Sequence, residues 1–253
     1  MSMDDLLDRS KLPTSLKNHI GIEIECLCFD KQIDDIRKDL IKENLQWNVS
    51  IGGDASINDL DFIPIYEFIP SSWGSSIIHK RVTNWRDRKD GYEIRIIAEE
   101  SVFINVVNKV CAILNKHNAV TNKSCGLHVH IDMRNRDKDI VAHNLYMMQD
   151  VLYKTQPKKR RTNKYCKRIN KLNWKVQTKY RGINIRSYNK LRTLEIRMHE
   201  ATISAKEINN WCTLLLSIAN KKSKFKTNLK TLRTVSHTKT AKEYLNGRIK
   251  QYA

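Results

Sequence analysis

The chain has 253 residues, with 46 Lys/Arg against 27 Asp/Glu and a formal charge of +19. Its 40 % hydrophobic and 29 % charged content suits a globular protein and excludes a disordered or fibrous one. The longest apolar stretch, around residues 211–219, falls far short of the ~20 residues a membrane-spanning helix needs.

The positive charge is concentrated in two places. Residues 154–194 carry 15 Lys/Arg and no acid, residues 221–253 carry ten against Glu243 alone, and the rest of the chain sums to −5. Such asymmetry points to a polyanion partner, nucleic acid or an acidic protein, or else to lysine-rich coding bias. The opening MSMDDLLDR has no apolar run, which predicts a cytoplasmic protein without an export signal. The six cysteines, at 26, 28, 111, 125, 166 and 212, form no CxxC pair and are expected to be reduced thiols.

In chain order, residues 20–29 (IGIEIECLCF) alternate as a strand, with Ile20, Ile22, Ile24, Cys26 and Cys28 on one face and Glu23, Glu25 and Leu27 on the other. Two carboxylates therefore project from one face about 7 Å apart. Residues 31–46 put Ile33, Ile36, Leu40 and Ile41 on one side of a helix. A second strand is predicted at 47–51, running into a turn at Gly52-Gly53-Asp54-Ala55-Ser56. Residues 57–90, interrupted by Pro64, Pro70 and SSWGSS, read as loops with one or two short strands.

Residues 91–98 (GYEIRIIA) alternate again, with Glu93 and Arg95 opposed to Tyr92, Ile94 and Ile96, and 101–117 is helical. Residues 125–133 (CGLHVHIDM) repeat the construction of the first strand: Cys125, Leu127, Val129 and Ile131 on one face, His128, His130 and Asp132 on the other. Asp137 is placed to cap a helix over 138–152. Residues 192–201 (RTLEIRMHEA) form a third strand of this kind, with Glu195, Arg197 and His199 together, and the Ser204…Glu207 capping box opens a helix with Ile208, Trp211, Cys212, Leu215 and Ala219 inward. From about residue 221 the chain is low in apolar content and reads as a basic, partly flexible tail with a short helix near 241–251. The expected class is α+β, a mainly antiparallel sheet with helices on its apolar side.

In one sheet, these strands would gather Glu23, Glu25, His128, His130, Asp132, Glu195 and Arg197 on a single face, with Glu93 beside them. Several carboxylates packed together repel and raise each other's pKa unless a cation intervenes. Mostly oxygen ligands with one or two imidazoles suit Mg²⁺ or Mn²⁺, and Arg197 and Arg186 nearby suit a phosphoryl group. A solvated polar face is the alternative reading. The same motifs leave open a metal-dependent hydrolase built on HxH, and the Tyr- and Trp-interleaved basic segment leaves open a non-catalytic nucleic-acid-binding protein.

The ordered motifs GIEIE (21–25), Trp47 followed by DAS (54–56), GYEI (91–94), CGLHVHID (125–132), RRTNKYC (160–166), KYRGINIRS (179–187) and TLEIRMHEATISAKEINNW (193–211) resemble the amidoligase family, relatives of glutamine synthetase and glutamate–cysteine ligase. The resemblance spans most of residues 18–220. It implies a glutamine synthetase-like catalytic domain over 1–220, with an insertion at 57–90 and the tail at 221–253. It also implies ATP-dependent joining of a carboxylate and an amine through an acyl phosphate. Glu23, Glu25, Glu93, His128 and Glu195 would then ligate Mg²⁺ or Mn²⁺, with His130 auxiliary. Arg161, Arg186 and Arg197 would contact the ATP phosphates and the acyl phosphate, and Asp54 and Ser56 would lie near the amine or nucleotide. The family commonly has DGS where this chain has DAS. After Glu93 the chain continues RIIAEES, which leaves Glu99 or Glu100 as a candidate further ligand. The acid, the amine and the oligomeric state are not specified by these motifs.

Overall fold

Six strands pair antiparallel throughout in the order β2-β5-β1-β6-β8-β7. They are β1 (His19–Cys28), β2 (Val49–Gly53), β5 (Asp90–Glu99), β6 (Gly126–Asp132), β7 (Ile183–Asn184) and β8 (Thr193–Glu200). Two further strands, β3 (Tyr66–Pro70) and β4 (Ile77–Arg81), form a separate antiparallel hairpin within the segment expected to be an insertion. The computed structural model describes residues 18–57, 66–70, 77–81, 89–174, 178–225 and 239–253.

Alternation in β1, β5, β6 and β8 decides what lies behind the sheet. Ile20, Ile22, Ile24, Cys26, Cys28, Ile94, Ile96, Val129, Ile131, Leu194, Ile196 and Met198 are all buried in one core. Burying an aliphatic side chain is worth about 1.5–3 kcal/mol, so this face alone fixes the register of the central strands. Helices cover it: α1 (Asp30–Lys42), α2 (Phe103–Lys116), α3 (Lys138–Lys154) and α6 (Ala205–Ala219), with α6 packed against both α2 and α3. Short α4 (Lys158–Arg161) and α5 (Ser187–Leu191) lie within the basic segment. The architecture is α+β, as expected.

The helix boundaries follow local chemistry. The Asp137 side chain accepts hydrogen bonds from the backbone N–H groups of Asp139 and Ile140 at 2.9 and 3.0 Å and caps α3, and Ser204 Oγ accepts from Glu207 N–H at the start of α6. Ile41 departs from expectation. The helix buries Ile33, Ile36 and Leu40, but Ile41 lies one residue past that stripe and is 59 % exposed. Gly52 and Gly53, expected in a turn, continue β2, whose partners they are on Glu93 and Tyr92 of β5.

The C-terminal residues are partly integrated into the body. Helix α7 (Lys239–Gln251) packs on α6 and buries Ala241, Leu245 and Arg248. Arg248 bonds Thr155 O, Glu200 and Glu207, so one buried guanidinium ties α7 to the end of α3, to β8 and to α6. All six cysteines are buried and none is in a disulfide. No described helix is long and apolar enough to cross a membrane.

Candidate metal and phosphate site

On the other face of the sheet, strand register brings the polar residues together. Glu23 of β1 lies opposite His128 of β6 and Arg95 of β5, Glu25 lies opposite Glu93, and His130 lies opposite Glu195 of β8. Each contact is thus a cross-strand pair set by the hydrophobic pattern behind it.

Glu23 sits at the centre. Its Oε2 is 2.9 Å from His128 Nδ1, and its Oε1 is 3.1 Å from His130 Nε2. His128 Nε2 is 3.4 Å from Glu25 Oε1, and its Nδ1 is 3.8 Å from Glu195 Oε1. Glu25 also accepts the backbone N–H of Gly126 at 2.5 Å. Glu195 is held by Asn184 Nδ2 at 2.6 Å and by Arg197, and Glu93 is paired with Arg95. His130 Nδ1 meets Thr193 Oγ1 at 3.1 Å, which orients the ring toward Glu23. Two ligand sets result, Glu23–Glu93–His128 and Glu23–His130–Glu195, each with its ligating atoms within 4.8 Å of one another. Both use Glu23.

The electrostatics match a cation site. Burial opposes charge on Glu23, but His130 and His128, through charge and hydrogen bonds, hold its carboxyl well below the usual range. Burial first, then the adjacent Glu23 charge, pushes Glu93 up to about 9 despite Arg95. Of these neighbouring acids one is ionised and the other keeps a proton at neutral pH, the arrangement that a divalent cation would resolve. Oxygen-rich ligation with imidazole fits Mg²⁺ or Mn²⁺.

A cavity of about 330 Å³ opens onto this cluster. Glu23, Glu25, Glu93 and His128 line it together with Asp54, Ser56 and Ser124. Arg160, Arg197, Lys179, Tyr165 and Tyr180 complete the lining, with Arg197 ion-paired to Glu195 and the Arg160 guanidinium beside Gly126 and His128. Asp54 and Ser56 reach the cavity because their turn hugs β5. Asp54 N–H donates to Gly91 O at 2.8 Å, and a Cβ on Gly91 would meet Ile57 Cβ at 2.4 Å and Asp54 O at 2.5 Å. Only glycine permits that approach. Asp54 Oδ1 in turn accepts from Ser56 N–H and Oγ at 2.8 and 2.7 Å.

The two other arginines expected here lie elsewhere. Arg161 donates to the carbonyls of Gln156 (2.8 Å), Lys154 (3.2 Å) and Tyr252, which turns it toward the C-terminus. Its neighbour Arg160 lines the cavity instead, 8 % exposed and donating to Arg197 O at 2.9 Å. Arg186 is exposed and outside the cavity lining. Asp132, expected on the same face, is fully buried and held by Arg134 at 2.6 Å. Glu100 pairs with Arg136 at 2.6 Å and lines a separate cavity beside α2 and α6, and Glu99 is outside the lining as well.

Residues 96–176 match the model of a family described as "putative amidoligase enzyme". The sequence resemblance is to the amidoligases. The amidoligase match begins within β5, runs past α4 and takes in His128, His130, Arg160 and Tyr165, whereas Glu93 and the β1 and β8 residues of the cluster lie outside it and join it through the fold. No curated protein and no solved structure matches the chain.

Proposed function

We propose that this protein is an ATP-dependent carboxylate–amine ligase with a glutamine synthetase-like catalytic face, working through an acyl phosphate. The observation that carries the reading is Glu23 shared by two ligand sets in a cavity that Arg160 and Arg197 also line. An amidoligase must bring a carboxylate to a triphosphate against charge repulsion. Mg²⁺ or Mn²⁺ held by Glu23, Glu25, Glu93, His128 and Glu195 would neutralise phosphate oxygens there.

The chain's own residues supply the rest. Arg160 and Arg197 line the cavity and would offer guanidinium donors to a phosphoryl group or to the substrate acid. Buried His130 orients Glu23. Asp54, in the lining of the same cavity, would take the proton an attacking amine loses, with Ser56 hydrogen-bonded to its carboxylate. Arg161 and Arg186 take no direct part in this scheme. Six buried, unpaired thiols favour a reducing, cytoplasmic setting.

The deciding experiment incubates the protein with ATP, Mg²⁺ or Mn²⁺ and pools of acids and amines, and follows ADP, phosphate and amide by mass spectrometry. Amide formed in proportion to ADP supports the ligase. Bond cleavage without ATP consumption would instead identify a metal-dependent hydrolase.

A further inference from the structure

Seven large hydrophobic side chains are exposed among the described residues, and two of them, Tyr165 and Tyr180, stand together in the lining of the cavity. They are 42 % and 41 % exposed, with ring centroids 5.5 Å apart at 66°. Each carries a cation over one ring, Lys164 Nζ at 5.0 Å from Tyr165 and Lys179 Nζ at 5.2 Å from Tyr180. The pair is pinned from below. Lys167 N–H donates to Tyr180 O at 3.1 Å, Gly182 N–H donates to Lys167 O at 2.8 Å, and Arg197 Nε donates to Tyr165 O at 3.3 Å. Two aromatic rings are thus held open to solvent in the lining that Arg160 and Arg197 share, in a 154–194 segment with 15 cations and no acid.

We infer that this lip binds an unpaired nucleic-acid strand, whose bases stack on Tyr165 and Tyr180 while its phosphates meet Lys164, Lys167 and Lys179. Alternating cations and ring faces is the chemistry of single-strand grooves, where charge tracks the backbone and aromatic faces take successive bases. A duplex hides its base faces in its own stack and would leave both tyrosines unused. An acidic peptide would engage the lysines and likewise leave the rings idle.

Fluorescence anisotropy with the full chain tests this, using a labelled thymidine strand of about twelve nucleotides, the matching duplex and a polyglutamate peptide of equal charge. The single strand is expected to bind tightest. The double substitution Tyr165→Ala with Tyr180→Ala should weaken it about tenfold or more, and Tyr165→Phe with Tyr180→Phe should restore it, because stacking needs the ring and not the hydroxyl. Lys164→Ala with Lys179→Ala should lower the slope of log affinity against log salt by about 1.4, two phosphates' worth. Equal or tighter binding of duplex or peptide, or an unchanged affinity in the double alanine variant, would overturn the inference. Glu25→Gln separates the two proposals. It should retain strand binding and lose ATP turnover, and turnover surviving in it would sink the assignment of Glu25 to the metal site while leaving the strand result standing.

Discussion

Glu23 and His128 face each other across the β1–β6 pairing, with Oε2 2.9 Å from Nδ1, and the opposite oxygen of the same carboxylate is 3.1 Å from His130. A single side chain therefore bridges both imidazoles of the HxH motif. Glu93 belongs to one ligand set and Glu195 to the other, while Glu23 belongs to both. Glu23→Gln is expected to weaken Mn²⁺ binding by about a hundredfold or more, whereas Glu93→Gln should spare the second set and weaken it less. Calorimetric titration of Mn²⁺ into each variant measures the difference, with circular dichroism confirming the fold. Equal losses in the two variants would mean that Glu23 is not shared.

The raised pKa of Glu93, about 9, makes a separate prediction for the cation. Burial and the Glu23 charge keep Glu93 protonated below that value, so a divalent ion that takes Glu93 as a ligand must expel its proton. Apparent affinity should therefore climb with pH toward about 9, by up to about tenfold per unit for one proton exchanged. Titrations in buffers of different ionisation heat count the protons released. Glu93→Gln should abolish the release. A pH-independent affinity in the parent protein would show that Glu93 stays off the metal.

Arg160 and Arg161 are adjacent in sequence and point apart, Arg160 into the cavity lining and Arg161 toward the C-terminus. Arg160 packs over Gly126, where a Cβ would come within 2.4 Å of its terminal nitrogen and 3.1 Å of His128 Nε2. Gly126→Ala should thus push the Arg160 guanidinium off its bond to Arg197 O, costing about 1–3 kcal/mol of stability and impairing the site. Arg160→Ala should lower kcat/KM by about a hundredfold if the guanidinium meets charge in the transition state. Arg161→Ala removes donors from three carbonyls near the C-terminus and is expected to cost about 1.5–3 kcal/mol of stability with a much smaller kinetic effect. Steady-state kinetics beside urea unfolding separates the two roles, and the reverse assignment would place Arg161 at the phosphates.

Much of this was legible in the alternation of four short segments. Ile20, Ile22 and Ile24 must face the core, so Glu23 and Glu25 must face away from it, and the same logic placed His128, His130, Glu195 and Arg197. Period-two strands report side-chain direction without knowledge of their neighbours. That Arg160 and not Arg161 lines the cavity was not legible, because both occupy a four-residue helix whose rotation is set by contacts with β8 and the C-terminus. Tyr180 and Lys179 likewise reach the cavity through the pairing of Lys167 with Arg181, a long-range contact without any sequence period. Asp132 obeyed the alternation and still left the cluster, since Arg134 two residues on captures it.

His199 offers a test of the fold that is independent of catalysis. It shares the polar alternation of Glu195 and Arg197 but is fully buried against Trp211, with ring centroids 5.0 Å apart. Its Nδ1 lies 2.6 Å from Glu200 O and can only be a donor there, so Nε2 accepts from Tyr244 Oη at 2.9 Å, which ties α7 to β8 through a neutral imidazole. Burial, then the Arg248 charge, with a smaller contribution from Arg160 and against the Glu200 hydrogen bond, lowers its pKa from 6.5 to about 3. The folded protein therefore refuses a proton that the unfolded chain accepts below 6.5. Stability from this residue is complete above that pH and drains away as pH falls toward about 3, with a limiting slope of about 1.4 kcal/mol per unit. Urea unfolding at a series of pH values between about 7 and 4.5 should show the loss, and His199→Gln, which stays uncharged, should flatten it by close to that slope. An unchanged slope in the variant would mean that the ring is protonated in the folded protein and that the Tyr244 bond runs the other way.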